Sequence, residues 1–302
     1  MTDFAGAYHR LNANARGALW MLASALVFTF MVALIKYLGD TYSPALQTFY
    51  RQAAGLLVLT PIILRDPKAA LTTNRIGLLM FRAICLTLGM ILSFYAYQEM
   101  PLADANALSF SRTLWMVPLA MLVLRETVGA WRLGATLTGF LGVLIMMRPS
   151  AETAFSLPAL AMLLGGFLIA AGITGMKIMT RDHSLTTLTV WGAILGVLFT
   201  TPLALLEWRW PNAQDLLLLA TMGALGLVSQ IFYIKGIALG DAAAMAPIDY
   251  TRLVFALIVG VLFFHETPDL MTMLGAAVVV AATLIITVRE QRQKKAPPVA
   301  PE

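Results

Sequence analysis

The stretches "SRTLWMVPLAMLVLRET" (111–127) and "TRLVFALIVGVLFFHET" (251–267) align position by position at an offset of 140 residues. Each is an apolar run with one arginine near its start, Arg112 or Arg252, and each ends in a Glu-Thr pair. Self-similarity at a fixed offset is the mark of an internal repeat. The matched pair therefore predicts that the chain consists of two copies of one helical unit.

The match extends over both halves of the chain. At an offset of 141 residues, Lys36 meets Lys177 and Gly55 meets Gly196. At the same offset "LGATLTGFLGVLIM" (133–146) meets "LGAAVVVAATLIIT" (274–287). Chance is a poor explanation for matches that recur in the same order, so we infer a duplication. A duplication without any transport role is the alternative interpretation.

Composition limits the class of protein. The 302 residues are 59% hydrophobic and 12% charged, with a mean hydropathy of +0.79, whereas soluble domains carry about 25% charged residues. This composition indicates an integral membrane protein in a lipid bilayer. The net charge of +5 would also suit nucleic acid, but cationic loops at a membrane surface account for it, so we predict no nucleic-acid partner.

Cofactor chemistry finds no support in the sequence. Cys85 is the single cysteine, and His9, His183 and His265 lack the spacing of metal ligands. No GxxxxGK[ST] motif for nucleotide binding is present. We therefore predict no metal site, no catalytic residues and no cofactor.

Apolar runs predict ten membrane spans, because a span needs about 20 mainly apolar residues. They are 17–37, 44–64, 77–98, 102–123, 129–147, 157–178, 185–206, 213–236, 241–264 and 268–288. Five spans are an odd number, so the second half enters the membrane in the opposite orientation. The predicted fold is an all-α integral membrane protein with two inverted five-helix repeats around a central cavity.

Lysine and arginine are concentrated on one side of this topology. The segments on that side hold Arg10, Arg16, Arg65, Lys68, Arg75, Arg125, Arg132, Arg181, Arg289, Arg292, Lys294 and Lys295. The other side holds Arg148, Arg209 and Lys36. This bias predicts a multi-pass protein of the bacterial inner membrane with both termini in the cytoplasm.

The same topology divides the chain into five parts. They are a cytoplasmic N-terminal segment (1–16), a first repeat (17–148), a periplasmic linker (149–156), a second repeat (157–288) and a disordered cytoplasmic tail (289–302). The tail is basic and then proline-rich, a composition typical of disorder.

Several motifs resemble the EamA family of the drug/metabolite transporter superfamily. They are "FYRQAAGLL" (49–57), "PLADANALSFSRTLW" (101–115), "LGATLTGFLGVLIMMRP" (133–149) and "PIDYTRLVFALIVGVLFFHETPD" (247–269). The short acidic motif at Glu126 and Glu266 is typical of that family. The resemblance implies ten helices, with spans 1, 3, 4, 6, 8 and 9 around a central cavity and spans 5 and 10 at the periphery. It does not specify a substrate, because members export or import many metabolites.

Two intramembrane arginines are the strongest candidates for a binding site. Arg112 lies about ten residues into the fourth span and Arg252 about eleven into the ninth, near mid-depth at about 1.5 Å per residue. A charge at this depth is costly and needs a cavity or a partner. The planar guanidinium suits a carboxylate or phosphate. The alternative is a structural role, since Asp249 lies three residues before Arg252.

Asp249 has two competing interpretations. It is a candidate for proton coupling, because a buried carboxylate can change protonation state in the working pH range. It is equally a candidate for an ion pair with Arg252. Pro247 removes a backbone hydrogen bond from the same region, and broken helices near the midplane are common at transporter sites.

Further candidates line the same predicted helices. The substrate-binding candidates, besides the two arginines, are Tyr250, Phe110, Ser111, Tyr95, Trp115, Gln230 and Trp20. The candidate gate residues are Lys36, Lys177 and Arg51. The alternative for the aromatic residues is packing or contact with lipid, and for the cations it is an interfacial position. Small residues at Ala135, Gly139, Ala277 and Ala281 allow close helix packing, either within the monomer or in a homodimer.

We predict a secondary-active transporter of a small organic metabolite across the inner membrane by alternating access. The substrate is expected to be anionic or zwitterionic, such as an amino acid, an organic acid or a vitamin-like compound, with protons as a candidate coupling ion. The alternative is a drug/metabolite efflux pump for apolar or aromatic compounds. A channel and an intramembrane enzyme are more remote, because an enzyme needs a nucleophile–base pair or metal ligands at depth.

Overall fold

The computed structural model describes residues 13–125, 130–147, 156–179, 183–239, 248–267 and 269–295. Within these ranges all regular structure is helical, as predicted. The helices are α1 (Ala13–Tyr37), α2 (Pro44–Arg65), α3 (Pro67–Leu71), α4 (Ile76–Glu99), α5 (Leu102–Ser109), α6 (Ser111–Leu122), α7 (Ala130–Met147), α8 (Leu157–Met179), α9 (Leu185–Leu206), α10 (Ala213–Leu239), α11 (Thr251–Phe264) and α12 (Leu270–Lys295).

Helix starts follow from local sequence. The Ser43 hydroxyl caps α2 by accepting from the Leu46 N–H at 3.4 Å, and Pro44 occupies the first helical position, where no N–H is needed. Ser184 caps α9 in the same way, at 3.1 Å from the Thr187 nitrogen. These capped turns set the connections at which the chain reverses direction.

Five helices are long and apolar enough to cross a membrane. They are Ala15–Tyr37, Ile76–Glu99, Leu157–Gly175, Thr187–Leu206 and Ala213–Gly236. Three shorter apolar helices, Leu133–Ile145, Thr251–Phe264 and Leu270–Ala282, accompany them. The chain is therefore a multi-pass, all-helical protein. The start of the predicted ninth span, 241–247, which includes Pro247, lies outside the described residues.

The predicted fourth span is split in two at Phe110. The Ser109 hydroxyl donates to the Asn106 carbonyl at 2.7 Å, which is the acceptor that the Phe110 N–H would use in a continuous α-helix. The Phe110 N–H bonds instead to the carbonyls of Ala107 and Leu108. At this break a side-chain hydroxyl takes the carbonyl that the backbone would use, and Pro118 lies inside α6.

The predicted disordered tail begins too early. Helix α12 continues to Lys295, well past Arg289, where the sequence predicts the tail to begin. The segment 289–295 consists of Arg, Glu, Gln and Lys, which are good helix formers, so the helix extends beyond its apolar part.

The most extensive helix packing joins the two halves of the chain. The largest contacts are α1 with α10, α4 with α8, and α7 with α12. A Cβ added to Gly89 would lie 2.9 Å from the Gly165 carbonyl oxygen, and one added to Gly165 would lie 2.8 Å from the Gly89 oxygen. Small residues thus let α4 and α8 approach backbone to backbone.

The helix pair α1–α10 uses polar side chains instead of glycine. The Ser24 hydroxyl donates to the Ser229 carbonyl at 2.8 Å, and the Ser229 hydroxyl donates to the Ser24 carbonyl at 3.1 Å. This reciprocal pair fixes the register of the two helices. Helix α7 packs on α12 within the chain, which accounts for the small residues at Ala135 and Gly139 without a second copy.

The bundle has two ends. The 37–44 end is where α1 passes into α2, and it also holds Met100, Trp208 and His265; the 66–75 end lies opposite, between α2 and α4. A cluster of large buried side chains fills the bundle near the 37–44 end. Its members include Ile35, Leu38, Tyr42, Leu46, Tyr97, Leu102 and Leu108.

Candidate substrate cavity

A cavity of ≈ 470 Å³ lies between the helices of both halves. Helices α1, α2, α4, α5, α6, α8, α9, α10 and α11 all contribute side chains to its wall. The volume falls in the range of about 300–1,000 Å³ that is usual for small-molecule sites. The wall includes α2 and α9 in addition to the helices that the family resemblance implies.

Four arginines face this cavity and make its wall cationic. They are Arg51, Arg82, Arg112 and Arg252, and no aspartate or glutamate of the described residues is among the lining side chains. Both predicted guanidiniums, from α6 and α11, therefore lie at the same hollow. In a low-dielectric surrounding this arrangement attracts anions more strongly than it would in water.

Arg252 is held on three sides. Its Nη2 lies 2.9 Å from an Asp249 carboxylate oxygen, and its Nε donates to the Asp249 carbonyl at 3.3 Å. The guanidinium carbon lies 4.8 Å from the Phe28 ring centroid and 5.0 Å from that of Phe110, so both rings contribute cation–π contacts. The predicted Asp249–Arg252 ion pair is thus present.

Arg112 is placed differently from Arg252. Among the described residues its guanidinium makes no hydrogen bond and no ion pair. The charges of Arg252 and Asp249 lie close enough to act on it. A partly buried guanidinium without a direct partner has five N–H donors available for a ligand.

Arg82 extends the cationic wall toward the 66–75 end, and Arg51 contributes to the wall from α2. Arg51 Nη1 lies 2.8 Å from the Met90 sulfur, which is a weak acceptor. Arg82 Nη1 donates to the Leu188 carbonyl at 3.2 Å. Arg51 is a predicted gate residue, with an interfacial position as the alternative, and the structure turns both arginine side chains to the cavity.

Phe110 and Tyr250 occupy matching positions of the repeat and meet each other. Their ring centroids are 4.8 Å apart at an interplanar angle of 61°. Both residues have nearly the same backbone conformation, with φ/ψ of −67°/−18° and −72°/−11°. Both carbonyls accept from the N–H three residues on, Thr113 and Leu253, at 3.0 Å.

Neutral polar groups complete the wall. Gln230, a sequence-predicted candidate, lines the cavity together with Gln52, Thr87 and Ser109. The Thr87 hydroxyl is buried without a hydrogen-bond partner among the described residues. Gln52, Arg82 and Thr87 are missing from the sequence-based set. Arg82 and Thr87 lie on α4 at spacings that put them on one helix face with the lining residues Leu86 and Met90. That spacing is the signal that could have identified them.

Six predicted candidates are not among the lining residues: Phe110 and Tyr250, which pack on each other, and Ser111, Trp115, Tyr95 and Trp20. Ser111 is fully buried beside Gly166, and Trp115 packs against the rings of Phe140 and Phe167. Tyr95 is half-buried and not among the lining residues.

The last of the six, Trp20, packs on Phe232 and lies under the Lys235 ammonium group, 4.6 Å from the ring centroid. Of the candidate gate residues, Arg51 lines the cavity, whereas Lys36 lies at the 37–44 end in an ion pair with Glu266. The side chain of Lys177 and the whole of Glu126 lie outside the described part of the chain.

Known proteins resemble this chain over nearly its whole length. The sequence pattern of the EamA-like transporter family matches it twice, over residues 15–148 and 156–288. An S-adenosylmethionine uptake transporter of Rickettsia prowazekii is 29% identical over 283 residues, which is 93% of this chain and 96% of the relative. A riboflavin transporter of Vibrio cholerae is 29% identical over 285 residues, covering 93% and 95%.

An exporter and a solved structure extend this comparison. The pseudopaline exporter CntI of Pseudomonas aeruginosa PAO1 is 26% identical over 272 residues, covering 90% of this chain and 95% of its own. One crystal structure superposes with a TM-score of 0.62 at 15% identity, over 93% of this chain and 99% of that one, which shows a shared fold.

These findings confirm the resemblance inferred from the motifs, and they identify a membrane transporter of a small molecule and not an enzyme. The match covers both halves of the sequence, each with one copy of the pattern. This chain belongs to the EamA-like transporter family.

Proposed function

We propose that this protein is a secondary-active carrier that moves a small organic anion or zwitterion across the bacterial inner membrane, with both termini in the cytoplasm. The observation that carries the proposal is the guanidinium of Arg112, which has no direct partner among the described residues, in a cavity whose lining charges, within the same part of the chain, are all positive. A carboxylate or phosphate of the substrate would supply the missing partner of Arg112. Arg252, already paired with Asp249, would make a second contact.

Helix packing supports two inverted repeats as the framework of this carrier. Helices α1 and α8 are the first of their halves, and α4 and α10 are the third long helices of theirs. When each helix is replaced by its counterpart in the other half, the pair α1–α10 becomes the pair α8–α4, and both pairs are among the three most extensive contacts. In the third, α7–α12, the two helices are counterparts of each other, so the pair is unchanged by the exchange. This pattern is expected of a two-fold relation, and the odd number of spans makes the two halves inverted.

Alternating access follows from the same framework. A substrate site between two related halves can open to either side of the membrane when the halves rock against each other. The relatives include an uptake transporter and an exporter, so the proposal concerns the substrate class and the mechanism, not a direction.

A ligand screen by thermal shift tests the substrate class. Purified protein is heated with carboxylates, amino acids, nucleotides and vitamins, and a bound ligand raises the melting temperature. We expect an anionic or zwitterionic compound to stabilise the parent protein and to lose that effect in Arg112→Ala. Arg112→Lys should retain part of it, because the charge remains but the planar fork of donors is lost.

Arg209→Ala is the matched control, since Arg209 is an exposed arginine far from the cavity wall. It should keep the full ligand-induced shift. A full shift in Arg112→Ala would contradict the binding role of Arg112. Stabilisation by neutral aromatic compounds alone would favour the efflux pump instead, because Phe28, Phe94 and Tyr97 also line the cavity.

A further inference from the structure

A single carboxylate ties three helices together at the 37–44 end. Glu266, which follows α11, forms an ion pair with Lys36 at the end of α1. Its other oxygen accepts from the Leu102 N–H at the start of α5, at 2.7 Å. The Lys36 ammonium also donates to the Met100 carbonyl at 2.5 Å and lies 5.6 Å from the Phe264 ring centroid. We call the Lys36–Glu266–Leu102 contact the latch.

A left-handed turn aims the Glu266 carboxylate into the latch. His265 has a φ of 54°, and the Glu266 N–H returns to the Gly260 carbonyl at 3.0 Å. A Cβ at Gly260 would lie 2.6 Å from Glu266 Oε2, so the glycine leaves room for the carboxylate. A non-glycine residue in this conformation is strained and persists where its surroundings require it.

The same turn occurs at the matching place of the first half. Arg125, which corresponds to His265 at the offset of 140 residues, has a φ of 53°. These two are the non-glycine residues with positive φ in the described part of the chain. The strained turn therefore belongs to the repeated unit and is not an accident of one loop.

The latch lies at the closed end of the cavity. Along α4 the cavity runs from Tyr97 to Arg82, about 22 Å at the rise of an α-helix, toward the 66–75 end. At the 37–44 end, beyond Tyr97, buried side chains such as Leu38, Tyr42 and Leu46 pack together. None of these three residues lines the cavity, so the cavity is closed at this end, where the latch also lies.

The latch also joins the two halves of the chain. Lys36 and Leu102 belong to the first matched segment and Glu266 to the second. We propose that the latch holds the 37–44 end closed and breaks in each transport cycle to open the cavity at that end. This inference rests on the alternating-access carrier proposed above. A polar contact suits the task, because water can replace its hydrogen bonds when the end opens.

Cysteine labelling tests the latch directly. Ala105 is fully buried in α5 and lies on the same helix face as Leu102 and the cavity-lining Ser109, at spacings of three and four residues. Ala105→Cys in a Cys85→Ala background gives the protein a single thiol beneath the latch. A membrane-impermeant maleimide added from the latch side of reconstituted vesicles then reports opening of that end.

Two substitutions break the ion pair of the latch in this single-thiol background. Glu266→Gln retains an acceptor for the Leu102 N–H but loses the ion pair, and Lys36→Met loses it from the other side. We expect each to accelerate labelling of the introduced thiol about fivefold, the shift in populations that follows from removing a partly exposed ion pair. Lys36→Arg, which keeps the charge, should label as slowly as the parent. Glu207→Gln is the matched control, because Glu207 is an exposed carboxylate at the same end.

Unchanged labelling in Glu266→Gln and Lys36→Met, with melting temperatures near that of the parent, would overturn the proposal. Faster labelling in Glu207→Gln as well would also overturn it, because the effect would then not belong to the latch. The labelling rate measures access to one end and not the movement of any solute. The latch proposal can therefore fail while anion binding at Arg112 is confirmed, and anion binding can fail while the latch proposal is confirmed.

Discussion

Phe110 and Tyr250 hold matching positions in the two halves of the chain, and their rings touch edge to face at 4.8 Å. A residue can contact its own repeat counterpart only near the axis that relates the halves. In the proposed inverted repeat the axis passes beside the point where α5 breaks and α11 begins, and the two cavity arginines Arg112 and Arg252 each follow their ring by two residues.

The Phe110–Tyr250 contact should be measurable as a coupling energy. Aromatic pairs contribute about 0.5–1.5 kcal/mol beyond the area they bury. The variants Phe110→Leu, Tyr250→Leu and their combination, followed by thermal unfolding, form a double-mutant cycle. We expect the double variant to be less destabilised than the sum of the single variants. Strict additivity would show that the ring contact contributes nothing.

Replacing Arg252 should separate its two roles. Two of its nitrogens engage Asp249, which leaves Nη1 without a hydrogen-bond partner among the described residues. Arg252→Ala should abolish binding of an anionic ligand, whereas Arg252→Lys should weaken it, because charge remains without the planar fork. Binding is measured by the thermal shift of the ligand identified in the screen. If both variants bind and transport as the parent does, Arg252 is structural.

Asp249 forms an ion pair with Arg252. The substitution Asp249→Asn tests whether this pair is the whole function of Asp249. Removing one partner leaves the Arg252 charge uncompensated, which should lower stability by about 1–2 kcal/mol for a partly buried pair. We expect a lower melting temperature and an unchanged pH profile of transport. Loss of pH dependence with an unchanged melting temperature would instead assign proton coupling to Asp249.

The close contact between α4 and α8 predicts intolerance at Gly89. A methyl group there would meet the Gly165 carbonyl at 2.9 Å and the Ile169 side chain at 2.8 Å, so Gly89→Ala should cost about 1–3 kcal/mol through overpacking. Gly77→Ala is the control on the same helix, since nothing lies within 4 Å of its added Cβ. It should be neutral or slightly stabilising. Equal melting temperatures of the two variants would contradict the packing account.

The helices themselves were predictable, because each span is a long apolar run bounded by proline, serine or charged residues. The predicted 185–206 coincides with α9, and 77–98 differs from α4 by one residue at each end. The break at Phe110 was not predictable in the same way. It depends on whether the Ser109 hydroxyl bonds to the backbone or to a neighbour, and sequence does not reveal that choice.

The site was predictable in part for a similar reason. The repeat places Arg112 and Arg252 at mid-depth, and the structure brings both to the cavity. Arg82 is absent from the sequence-based candidates, because a cation near a helix end is ordinarily interfacial. The structure turns it inward, where the Leu188 carbonyl on α9 accepts from it. A helix end can face a neighbour or the lipid headgroups, and only the packing of α4 beside α9 decides between them.

The four guanidiniums of the cavity wall, from Arg51, Arg82, Arg112 and Arg252, have an electrostatic consequence. A conduit lined by fixed positive charge raises the energy of any small cation that enters it. Hydronium and metal ions are therefore repelled from the empty cavity. For the carrier proposed above, the same repulsion opposes leakage of small cations along the substrate path.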